Sequence, residues 1–159
     1  MVRIEDLCTR VPRGTLTGIM ALEGPLLRRL ADHPPGRFLV RHVTHGGLGR
    51  VAIRAARAAG LLRGRNPIDL ALFVLRHFFA DLLEEERVTG EDAAFFLVRC
   101  PYGWRTPADA PLCDAVMQLE RELVAGMGAS LVIEETIPAG APKCRFTLRM
   151  NRSPTATLS

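Results

Sequence analysis

Three cysteines stand where a folded chain would place chemistry. Cys100 closes a short apolar run, Cys113 lies in the first turn of a stretch with helical periodicity, and Cys144 opens the last apolar run. A thiol near a helix N-terminus feels the positive end of the dipole, which lowers its pKa and favours the thiolate that binds metal or attacks an electrophile. Cys113 is expected to be such a thiol. Cys100 and Cys113 bound a loop with twelve residues between them. If the strand carrying Cys144 pairs beside the strand ending at Cys100, the three sulfurs converge on one site. Three thiolates and one further ligand satisfy tetrahedral zinc, or an iron–sulfur cluster with one non-cysteine position. Cys8, His42, His45 and a bound small molecule are the candidates for the fourth position. The plain alternative is that cysteine is simply a favoured core residue.

A second constellation is His42, Thr44, His45, Gly46 and Gly47, just ahead of a helix. Histidines three apart share a helix face, and the glycines allow a ligand or another backbone to come close. His45 and one of the boundary cysteines could form a Cys/His pair that activates a thiolate. His77 reads as a packing histidine, and His33, beside Pro34, as a loop residue. The stretches HGGLG and GLLRGR lack the lysine and hydroxyl residue of a phosphate loop. Glu134 and Glu135 are adjacent on an expected strand, so they face opposite sides and cannot act as a carboxylate pair.

The elements that must position these residues follow from periodicity and punctuation. Breakers crowd the first 35 residues, which leaves one short helix around Leu22 to Leu30. An alanine- and arginine-rich helix runs from about Leu48 to Ala59, with Gly60 as its terminating glycine. The clearest helix begins at Asn66, with Pro67 preset for its first turn, and Ile68, Leu72, Leu75, Phe79 and Leu82 form its buried stripe. Glu84, Glu85 and Glu86 sit where the dipole disfavours anions, so that run lies outside the helix or is recruited to something positive. Ala93 to Arg99 reads as a buried strand. A loop from Cys100 to Ala110 leads into a helix over roughly Pro111 to Met127, with Asp109 as its cap and Leu112, Val116, Leu119 and Leu123 on one face. Leu131 to Ile137 and Cys144 to Met150 form a β-hairpin around PAGAPK. The expected fold is α+β, a small antiparallel sheet covered by helices, in one domain over residues 1–150. Its helical half spans about 15–88 and its strand–helix–hairpin half about 93–150, and residues 151–159 form a flexible tail.

Composition narrows the function classes. The chain has 159 residues, of which 48% are hydrophobic and 24% charged, an ordinary globular mix that excludes wholesale disorder, collagen and coiled coil. No apolar run reaches the roughly 18 residues of a membrane span, so no membrane partner is expected. The N-terminus carries acids and lacks the apolar core of a signal peptide, which points to a cytoplasmic protein with cysteines held as thiols or metal ligands. The net charge of +4 is nearly all arginine, since Lys143 is the only lysine. Arg50, Arg54, Arg57, Arg63 and Arg65 form a basic face that reads first as solvated. Aromatic residues are only 6%, too few for the stacking platforms of single-strand binding. The arginine-rich helix and the acidic run could also pair across a homodimer.

Cys100-Pro101-Tyr102, Leu112-Cys113-Asp114, and Gly140 followed by Cys144-Arg145-Phe146 occur in the order found in a group of small cysteine-containing α+β domains. The segment Phe95 to Leu148 resembles the 4-vinyl-reductase domain, the methanogen output domain, the L-2-amino-thiazoline-4-carboxylic acid hydrolase-like proteins, and the C-terminal halves of some iron–sulfur transcriptional repressors. GGLGRVAIRAARAAG also looks like the glycine-initiated helix of the first two groups. The resemblance implies an antiparallel sheet with a pocket between sheet and helices. Its carried-over positions are Cys100, Cys113 and Cys144, as ligands of zinc or an iron–sulfur centre in a sensor or accessory domain that binds a small molecule. In the alternative, a cofactor-independent hydrolase, Cys113 is the nucleophile, Asp114 or His45 the base, and a C–N or C–S ring bond opens. Thr136 to Lys143 holds no cysteine, where zinc-binding 4-vinyl-reductase domains usually have one. No winged helix is legible between Met1 and Arg87, so direct nucleic-acid binding is not expected.

Overall fold

The computed structural model describes residues 10–12, 15–79 and 81–151; Cys8 and the expected tail after 151 lie outside them. The chain enters through α1 (Thr15–Leu30). It continues through α2 (Pro34–Phe38), a π-helical segment (Leu39–His45) and α3 (Gly46–Ala58) as one nearly unbroken helical run. The helix α4 (Pro67–Phe78) leads to the hairpin β1 (Leu83–Val88) and β2 (Asp92–Leu97). A loop with a short 3-10 turn (Pro107–Asp109) precedes α5 (Ala110–Val116) and α6 (Gln118–Met127). The chain then forms β3 (Ala129–Glu135) and β4 (Cys144–Met150). The strands make one antiparallel sheet in the order β1-β2-β4-β3. This is the α+β architecture expected, with one more strand than the sequence revealed.

Alternation along the strands separates the two faces of the sheet. Ala93, Phe95 and Leu97 of β2 lie opposite Leu148, Phe146 and Cys144 of β4, and all six are buried against the helices. Phe95 and Phe146 stack at 5.2 Å between centroids. The other face carries Glu84 and Glu86, which pair with Lys143 and Arg145, while Glu85 turns to the helix side and pairs with Arg76. The acidic run is therefore an edge strand whose three glutamates are paired within their own chain. Like charges alternate across the β1 pleat, and each meets a base on a neighbouring element, which is what lets such a polar sequence hold strand geometry.

Asn66 caps α4 as expected: its side-chain oxygen accepts from the Ile68 N–H at 2.8 Å. The whole stripe from Ile68 to Leu82 is buried. Gly60 takes a φ of 71° just beyond α3, the left-handed position that ends a helix at little cost to glycine. Two expectations change. The first helix starts at Thr15, not near Leu22, and tolerates Gly24 and Pro25 inside it. The helix expected over Pro111 to Met127 is two, broken at Met117. Asp109 does not cap it; its carboxylate accepts from the Thr106 N–H and hydroxyl and from Arg28.

The glycine-rich start of α3 serves helix packing. A methyl group on Gly49 would stand 2.8 Å from Glu122 Cβ, and one on Gly126 of α6 would stand 1.9 Å from Ile53 Cγ1. The two helices thus approach through missing side chains, and the element that comes close to these glycines is another helix. Arg50 reinforces the contact by donating to Glu122 at 2.9 Å, and Arg57 donates to the Gly126 carbonyl at 3.0 Å. Two of the five arginines read as a solvated face therefore bind α3 to α6. Among the described residues, no helix is long and apolar enough to cross a membrane.

Candidate functional site

Register brings the cysteines together. Cys144 opens β4 opposite Leu97, the last residue of β2, and points to the helix-covered face. Three residues past Leu97, Cys100 begins a turn closed by the Gly103 N–H donating to its carbonyl at 3.0 Å, with Gly103 at a φ of 73°. Cys113 projects from α5. All three are free thiols, and all three line one buried cavity of about 30 Å³ between sheet and helices. A void of that size holds about one or two waters. A strand, a turn and a helix each bring one cysteine to the lining of this cavity.

Apolar walls dominate the cavity, among them Leu75, Phe79, Phe95, Leu131 and Phe146. Burial accordingly raises all three thiols. Cys113 is pushed up to about 12, by burial first and then by the neighbouring Cys100 and Cys144. The helix dipole was expected to lower it. It fails to do so because α5 is only seven residues long and Cys113 is sealed from water. Cys100 and Cys144 experience an opposing influence. Around Cys100 the backbone N–H groups of Trp104, Tyr102 and Gly103 favour the thiolate, offsetting part of the effect of burial. At Cys144 the Ile137 N–H donates to Sγ at 3.3 Å. Backbone donors gathered by a turn form a concavity suited to an anionic sulfur.

Besides the three thiols, the cavity is lined by the Tyr102 phenol, whose pKa burial raises, and by Glu120 of α6, which nothing in its local sequence singles out. Glu120 is 8% exposed, and its Oε2 is buried with no hydrogen-bond partner. Burial pushes its carboxyl up to about 7, against smaller opposing effects of a backbone N–H and Arg121. Its sequence context, QLERELV, looks like a solvated helix face. The signal was spacing: Cys113, Met117, Glu120 and Val124 recur at helical intervals, and the first three line the cavity.

The remaining candidates lie elsewhere. His45 contacts the Thr44 hydroxyl through Nδ1 at 3.1 Å, and burial lowers its pKa. His42 packs on the Phe38 ring. Asp114 follows Cys113 but turns outward to Arg121 and Arg41. None of the three lines the cavity, so the structure does not assemble Cys113, Asp114 and His45 into one group. His77 lies 2.9 Å from the Val11 carbonyl through Nε2. Cys8 lies outside the described residues.

Among the described residues, no three His, Cys, Asp or Glu side chains are already arranged to hold an ion. The residues with polar or sulfur atoms that line the cavity are Cys100, Cys113, Cys144, Tyr102, Met117 and Glu120, and no basic side chain lines it. No protein-family model matches the chain, and no curated protein matches it.

Proposed function

We propose that this chain is a sensor or accessory domain that binds a metal centre through Cys100, Cys113 and Cys144. The observation that carries this reading is the meeting of three free thiols, from three separate elements, at one buried cavity. Core cysteines need no such meeting, and the N–H groups directed at Cys100 and Cys144 favour the charged form a metal requires. The donor set fits zinc or an iron–sulfur centre. Binding would draw the sulfurs inward and tie β4, the Cys100 turn and α5 together, which gives a sensor its structural output.

The hydrolase alternative has less support. Cys113 is pushed up to about 12, so almost none of it is thiolate at neutral pH, and neither His45 nor Asp114 reaches the cavity to act as its base.

Elemental analysis and a visible spectrum of the full chain, purified without oxygen or added metal, test the reading. Near-stoichiometric zinc, or iron with a broad thiolate charge-transfer band, is expected. A colourless, well-folded protein that holds no metal and takes up neither zinc nor iron would overturn it. Cys113→Ser separates the two classes: loss of metal with lower stability fits a metal centre, and intact folding with lost turnover fits a hydrolase.

A further inference from the structure

We propose that Glu120 is the fourth donor of this centre, its carboxylate joining Cys100, Cys113 and Cys144 around one divalent cation of the zinc class. The proposal rests on the metal reading above and adds to it the ligand, the coordination and the cation class.

The case begins with cost. A carboxyl group taken from water into an apolar cavity without a partner is expensive, and such groups are normally paired, hydrogen-bonded or bound to metal. Glu120 has no such relief at Oε2. The arginine next to it in sequence, Arg121, gives its guanidinium to Asp114 instead, with bonds of 2.6 Å to the carboxylate and 3.0 Å to the carbonyl. Nothing basic lines the cavity to neutralise a carboxylate there. The groups that line it with Glu120 are the three cysteine thiols and the Tyr102 phenol, and of these the thiols are the usual donors to a zinc-class cation.

Helix geometry supports the same set. Cys113 and Glu120 are seven residues apart on one face, with Met117 between them in the cavity wall. Cys113 of α5 and Glu120 of α6 thus flank the break at Met117 and line the same cavity. Cys144 lies on β4, Cys100 on the turn after β2, and Cys113 and Glu120 on the two helices, so the four donors reach the cavity from four different elements. Three sulfurs select a borderline or soft cation, and the carboxylate oxygen favours zinc over copper(I).

Cobalt(II) titrated into the metal-free full chain, followed by competition with zinc, tests the assignment. The wild-type protein should give a thiolate-to-cobalt charge-transfer band and strong tetrahedral d–d bands. Glu120→Gln and Glu120→Leu should keep the charge-transfer intensity, since three thiolates remain. They should shift the d–d envelope and weaken zinc at least tenfold. The metal-free variants should unfold at or above the wild-type temperature, because a buried acid has been removed; a lowered midpoint would assign Glu120 a structural role and overturn the proposal. Unchanged d–d bands and zinc affinity in both variants would overturn Glu120 as a ligand and leave the cysteine centre standing. A wild-type chain that gives no cobalt–thiolate band would overturn both readings at once.

Discussion

Cys113 shows how environment, more than position in sequence, decides what a thiol does. It sits in a helix, but the walls around it are largely apolar, and the charged or polar groups near it are two other cysteines, the Glu120 and Asp114 carboxyls and the Tyr102 phenol. The uncharged thiol is therefore its stable form until a cation arrives to replace the proton. Cys100, at the mouth of the same cavity and half-buried, also borders an outer groove with Arg99 and Arg105. Labelling of the native, metal-free protein with a neutral maleimide near pH 7.5, mapped by mass spectrometry, should therefore modify Cys100 before Cys113 and Cys144. Unfolding should make all three react alike, and preloading with zinc should protect Cys100 as well. Cys113 reacting first would show an activated nucleophile and favour the hydrolase reading.

Among the elements, the α3–α6 pair matters most for the site, because α6 carries Glu120. The pair depends on absent side chains: a methyl group at Gly126 would overlap Ile53, itself only 7% exposed. Gly126→Ala is expected to destabilise by about 1–3 kcal/mol, the usual range for overpacking. Ile53→Ala removes the two nearest atoms it would strike, Cγ1 and Cδ1, and leaves Cβ at 2.9 Å, so the double variant should lose less than the sum of the singles by about 1 kcal/mol in urea unfolding. Strict additivity would mean that the helices do not meet there. This interface also marks where the sequence was hard to read. Glycines ahead of a helix invite a ligand-binding reading, and only the partner helix shows that they serve close packing. The same holds for β1, whose LEEERV has no apolar alternation and whose bases lie on α4, on β4 and in the turn before it, far away in sequence. By contrast α4 was legible from its Asn-Pro start and apolar stripe, because both are local patterns. Glu120 stayed hidden since a lone glutamate in a charged helix looks solvated until a cavity is found behind it.

Across the whole molecule, α1 is the first described helix, and it is held down by the loop between Cys100 and α5. Gly24 lies so close to the Tyr102 carbonyl that a methyl group there would stand 2.4 Å from its oxygen, and the Trp104 indole N–H donates to the Gly24 carbonyl at 3.3 Å. Arg28 completes the clamp on Asp109, with bonds of 2.8 and 3.0 Å. Burial acts to raise the Asp109 carboxyl, but the Thr106 hydroxyl and N–H and the Arg28 guanidinium outweigh it, and the group lies below its ordinary value. A carboxyl lowered on folding adds stability that is complete above the unfolded-state pKa, near 4, and is lost as pH falls through the folded value. Arg28 is 55% exposed, and solvent screening holds the contribution to roughly 1–2 kcal/mol. Asp109→Asn should therefore lower stability by about that amount at pH 7, and the gap between variant and wild type should narrow in urea titrations as the pH is taken below the unfolded-state value. A gap that persists in acid would show that the asparagine disturbs the Thr106 turn and not the ion pair. Because the same loop carries Cys100, loosening α1 should also change the rate at which Cys100 is labelled, which would tie the clamp on α1 to access to the cavity.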